Sequence, residues 1–101
     1  MPTVLFTATA QKSLADIFDY LTGTLANPQA AKTLADKIDR TLPLLGEHPE
    51  LFPLCTEPRL HQMQCRKALL GKAYLLLYKV EGKRVTVLLF CHSRQAYWHL
   101  L

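Results

Sequence analysis

The sequence predicts an α+β fold: an N-terminal strand, an antiparallel helix hairpin packed on a mainly antiparallel four-stranded sheet, and a short C-terminal tail. Three observations carry this. Apolar residues recur at helical spacing twice in the first half, at Leu14, Ile17, Phe18, Leu21 and Leu25, then at Ala31, Leu34, Ala35, Ile38 and Leu42. The second half drops that period for strand-like runs separated by short gaps that carry glycine. A chain of 101 residues, 50% hydrophobic, suits one domain, residues 1–101, around one modest core.

The elements follow in order. Residues 3–7 (TVLFT) are β-branched and aromatic and read as a strand. Thr7 or Thr9 can cap the first helix, which breaks near Gly23 or shortly after. Asn27-Pro28 starts the second helix, with a cap oxygen followed by a proline that is harmless at the first helical position. Pro43 ends or kinks it, because its ring removes a donor. Residues 46–61 hold three prolines and a glycine and read as an irregular connection, packed through Leu51 and Phe52. Three strands are expected at 62–68, 73–80 and 84–91, joined as antiparallel neighbours by Leu69 to Lys72 and by Glu81 to Lys83. The tail, 95–101, has room for one or two helical turns.

The last two strands are apolar on both faces. One face is expected to carry Tyr74, Leu76, Tyr78, Val80, Val85, Val87 and Leu89, and the other Leu75, Leu77, Leu88 and Phe90. The helix hairpin can cover one of them. The second is either a partner-binding surface formed by Leu75, Leu77, Leu88 and Phe90 with Trp98, or a face closed by the tail through Tyr97 and Trp98.

Charge and cysteine usage narrow the function classes. The net charge is +4, yet residues 1–50 carry −2 and residues 51–101 carry +6. A basic second half suits an acidic partner, nucleic acid or protein, or is a solvated face without a ligand. Cys55, Cys65 and Cys91 are odd in number and lack C-x-x-C spacing, so free thiols are expected, with no metal and no cofactor. The start lacks the basic region and cleavage site of a signal peptide, and the longest apolar run, Val85 to Cys91, is too short to span a bilayer. The expectation is a cytoplasmic protein that does not engage a membrane.

Several stretches together resemble one family. Ala10, Leu14, Ile17 and Tyr20 form A-x3-L-x2-I-x2-Y, and Pro28 is followed by Ala31 to Leu45 and then His48-Pro49. Arg66 precedes Tyr74-x3-Tyr78-x-Val80, and Val85 to His92 runs into His92-Ser93-Arg94-Gln95. In order and spacing these resemble the RelE/ParE toxins of bacterial type II toxin–antitoxin systems over nearly the whole chain. The resemblance implies a cognate antitoxin that wraps the toxin in a hetero-oligomer, which fits surplus apolar surface. It also implies one of two targets: DNA gyrase for ParE-like members, or mRNA on the ribosome for RelE-like endoribonucleases.

Metal-free RNA cleavage needs a base for the 2′-OH, a cation on the phosphate and an acid for the leaving oxygen. His92, Arg94, Arg66 and Tyr97 are the candidate catalytic residues if the protein is a ribonuclease, with Lys67, Lys72 and His99 as further candidates. RelE-like nucleases carry an arginine directly after the first tyrosine of Y-x3-Y, where this chain has Leu75. Losing a transition-state cation costs orders of magnitude in rate. The expectation therefore leans toward gyrase inhibition, with the endoribonuclease as the alternative and a non-toxic basic binding module as the third reading.

Overall fold

The computed structural model describes residues 3–101. Strand β1 (Thr3–Phe6) leads into helix α1 (Ala8–Asp19) and a π-helical turn (Tyr20–Thr24); helix α2 (Pro28–Glu47) and a short helix α3 (Pro58–Gln62) follow. Strands β2 (Arg66–Leu70), β3 (Tyr74–Glu81) and β4 (Arg84–His92) complete an α+β fold that ends in a single 3-10 turn (Tyr97–His99). The sheet order is β1-β4-β3-β2, with β1 parallel to β4 and the other pairs antiparallel.

Thr7 joins the first two elements to the last strand. Its Oγ1 accepts from Ala10 N–H at 3.0 Å, capping α1, and its hydroxyl donates to Leu88 O at 3.2 Å. Helix α1 ends in a wider turn, in which Leu25 N–H reaches Tyr20 O at 2.9 Å. Asn27 then caps α2 by accepting from Ala30 N–H at 3.1 Å. Of the two expected outcomes at Pro43, the helix does not end there: α2 continues to Glu47. Pro43 lies on the exposed side of the helix, while Thr41 and Leu45 extend the buried stripe of Ala31, Leu34 and Ile38. Packing of that stripe outweighs the lost donor.

Three more expectations are corrected. The Pro-rich connection contains α3, which Glu57 caps by accepting from Leu60 N–H at 2.9 Å, with Pro58 in the first turn. Strand β2 therefore starts at Arg66 and not at residue 62. In β4, Leu77 pairs with Leu89 and Tyr78 with Val87, which leaves Leu88 as a bulge. The extra residue reverses the in–out alternation beyond it. Phe90 therefore joins Val85, Val87, Leu76 and Tyr78 beneath the helices, and Leu89 turns to the other face with Leu75, Leu77 and Cys91.

That second face is closed by the chain itself. Leu60 of α3, together with Cys55 and Cys65, is buried against Leu75, Leu77 and Leu89, and Met63, Tyr97 and Leu101 pack around them. Of the expected covering tail, Tyr97 is in place, joined by Leu101. Leu75 and Leu77 are buried at 2% and 0% exposure, and Leu88 is half-buried at the bulge. The side chain of Trp98 lies outside the described residues. Among the described residues, no helix is long and apolar enough to cross a membrane.

Candidate functional site

The sheet and α1 enclose a groove of about 790 Å³ at the C-terminal end of β4. Its helix wall is Thr9, Lys12, Ser13, Asp16, Ile17 and Tyr20; its floor and far wall include Tyr74, Leu89, Phe90, His92, Gln95 and Leu100. Ser13 fastens the wall to the floor. Its Oγ accepts from Phe90 N–H at 3.0 Å and donates to Ala10 O at 2.9 Å. Lys12 and Asp16 form an ion pair of 3.1 Å on the rim, and Tyr20 stands 49% exposed beside it. The groove is thus apolar in its depth and charged at its edge, which suits an amphipathic segment.

His92 closes one end. It pairs with Tyr74 across the sheet, and the two rings meet edge-on at 5.3 Å. Its Nδ1 accepts from Arg94 N–H at 3.1 Å, so the ring proton of the neutral form sits on Nε2. Its backbone N–H donates to Gln95 Oε1 at 3.1 Å. The next residue anchors the turn: Ser93 Oγ donates to Lys72 O at 2.9 Å and Ser93 N–H to Ala73 O at 2.8 Å.

The other residues singled out from the sequence are dispersed. Arg66 pairs with Tyr78, four positions along β3 from the partner of His92. That is roughly 13 Å of strand. Its guanidinium donates to Phe52 O at 2.7 Å and Glu50 O at 3.4 Å, and Tyr78 hydroxyl donates to Pro49 O at 2.7 Å in the same region. Arg66 thus ties down the loop after α2. Tyr97 packs on the α3 side of the sheet, where its hydroxyl accepts from Lys67 Nζ at 3.4 Å. His92 faces the α1 side. The Arg94 side chain is exposed at the tail turn.

The three thiols sit in the closed second face. Burial pushes the Cys65 thiol up to about 11 and Cys91 to about 12, while Cys55 is also raised by burial, against the opposing pull of Lys67. Protonated thiols are poor nucleophiles and poor metal ligands. Among the described residues no three His, Cys, Asp or Glu side chains gather to hold a metal. Sequence reasoning missed the α1 wall of the groove. An exposed Tyr20 on an otherwise apolar stripe is a signal that was available; the Ser13–Phe90 bond spans 77 positions and has none.

Comparison with known proteins follows the fold. The family described as "ParE toxin of type II toxin-antitoxin system, parDE" matches residues 4–97. No curated protein matches the chain. A solved structure titled "Chromosomal ParDE TA system from P. aeruginosa" superposes with a TM-score of 0.68 at 19% identity, covering 91% of this chain and 96% of that one. At that identity the likeness is one of fold. The family match extends over nearly all of β1 through the tail turn, and the chain belongs to the ParE toxin family of type II toxin–antitoxin systems.

Proposed function

We propose that this toxin arrests growth by binding DNA gyrase, and that a cognate antitoxin neutralises it in a toxin–antitoxin hetero-oligomer. The observation that carries the target is the separation of Arg66 from His92. Arg66 bonds backbone carbonyls roughly 13 Å of strand away from the partner of His92. Leu75, where RelE-like nucleases carry an arginine, is buried at 2% exposure. Cleavage of RNA without a metal needs cations converging on one phosphate. Among the described residues, Arg94 is the arginine bonded to His92, through its backbone amide on Nδ1.

The antitoxin reading rests on the α1 groove. A helix laid there would bury apolar residues on Ile17, Tyr20 and Leu100 and turn its polar side to Lys12 and Asp16. The Tyr20→Ala variant is expected to bind the antitoxin at least ten-fold more weakly with unchanged thermal stability, read by titration calorimetry.

The target is tested by inducing the toxin without antitoxin. Intact message during arrest, together with inhibited gyrase supercoiling in vitro, is the expected result. New codon-phased 5′ ends inside reading frames would overturn it and make His92, Arg94 and Tyr97 the residues to substitute.

A further inference from the structure

The three thiols lie outside the α1 groove, and the backbone brings two of them face to face. Leu54 and Arg66 form an isolated antiparallel bridge. On its two sides Cys55 N–H donates to Cys65 O at 2.8 Å and Lys67 N–H donates to Pro53 O at 3.0 Å. Residues 53–55 thus run antiparallel beside the start of β2, and Cys55 stands directly opposite Cys65. Opposed residues joined by such a bond have Cα atoms about 5.5 Å apart. That lies within the span of roughly 4.4–6.8 Å that a disulfide bridges. Both side chains enter the same layer: Cys55 and Cys65 are buried at 2% and 0% exposure among Leu60, Leu75 and Leu77. Cys91 shares that layer, but its backbone pairs with Leu75 on β3, and β2 and β3 lie between its strand and residues 53–55.

The chain between Cys55 and Cys65 is α3 with its flanks. Glu57 caps the helix at its start. At its end Gln64 holds φ +59°, in the left-handed region that a Cβ disfavours, directly before Cys65. A five-residue helix with a strained exit is a cover that opens more readily than the sheet beneath it. While it is shut, burial keeps the thiols protonated and unreactive. Opening returns them to water, and Lys67 beside Cys55 favours its thiolate.

We propose that Cys55 and Cys65 form a reversible thiol–disulfide site, a staple that oxidation closes around α3. The oxidant is a small-molecule disulfide. The Cys55 thiolate attacks one of its sulfurs, forming a mixed disulfide and releasing one small thiolate. The Cys65 thiolate then attacks the Cys55 sulfur, forming the Cys55–Cys65 bond and releasing the second. The protein gives up two electrons and two protons, and the small disulfide takes both to become two thiols. In the reduced chain the cover opens and uncovers Leu75, Leu77 and Leu89; in the oxidised chain the bond holds it shut. The site depends on neither the gyrase nor the antitoxin reading, since it uses no residue of the groove.

The test treats the folded full chain with millimolar oxidised glutathione, blocks the remaining thiols by alkylation and maps the tryptic peptides. The expected product joins peptide 41–59, which holds Cys55, to peptide 60–66, which holds Cys65, in most chains. Dithiothreitol should release it. Cys91→Ala should give the same link, while Cys65→Ala should stop at a glutathione adduct on Cys55. The linked chain should melt roughly 5 °C or more above the reduced one. It should also be cut more slowly at Arg59 in limited proteolysis. A Cys55–Cys91 link, adducts without an internal bond in the unaltered chain, or a linked chain that melts below the reduced one would each overturn the site. So would a link that forms in urea but not in the folded protein. The peptide map of the unaltered chain decides the matter even where a variant fails to fold.

Discussion

At the residue scale, single bonds between distant parts of the chain fix the groove. Ser13→Ala leaves Phe90 N–H without its partner, costing about 1–2 kcal/mol, while alanine regains about 0.5 kcal/mol of helix propensity. A net destabilisation of roughly 1 kcal/mol is expected in urea unfolding. The thiols give a pH signature. Cys65 and Cys91 ionise near 11 and 12 in the folded chain, against an ordinary 9.0 in the unfolded one. The unfolded state therefore loses protons first as pH rises. This contribution to stability is full below pH 9.0 and disappears as pH climbs toward 12. Cys91→Ala should lessen that fall by about 1.4 kcal/mol per pH unit, measured by chemical unfolding between pH 9 and pH 10.5. His92 and Arg94 were legible in the sequence as chemically able residues. Their partners were not, because the Arg94 amide on Nδ1 and the carbonyls on Arg66 depend on turns that residue type does not encode.

At the scale of elements, two backbone positions separate local preference from tertiary demand. Pro43→Ala restores a helical donor on the exposed side of α2 and should stabilise the protein by about 1–3 kcal/mol, seen as a raised thermal midpoint. Gly71→Ala should do the reverse. A left-handed residue with a Cβ costs about 1–2 kcal/mol, and here the Cβ also displaces Lys37. The helix hairpin and the three-stranded meander were legible because their periods differ and glycine marks their turns. Helix α3 was hidden because Pro58 was read as a breaker, whereas proline also suits a first helical turn. The bulge at Leu88 was hidden for another reason. Val87 to Cys91, which spans the slip, is apolar throughout, so no polar residue marks where the alternation changes. That one slip exchanged Leu89 and Phe90 between the two faces.

At the scale of the molecule, the sheet is a partition between two apolar layers, and the thinner one is closed by α3 and the tail. Removing residues 96–101 takes Tyr97 and Leu101 off Leu75, Leu77 and Leu89. The shortened chain should bind an apolar dye strongly and self-associate, visible in dye fluorescence and light scattering. The sequence pattern showed two apolar faces but left open what closes the second, since covering segments and partner segments share one composition.

The order β1-β4-β3-β2 also bears on assembly in time. Strand β1 leaves the ribosome first, yet its sole neighbour in the sheet is β4, and Thr3 must wait for Arg84. The two helices between them have no completed sheet to rest on until then. Completion of the sheet therefore waits on the last strand. For most of its synthesis the nascent chain is a polypeptide with its apolar stripes exposed, harmless to any target that recognises the finished surface, and open to capture by a partner already present.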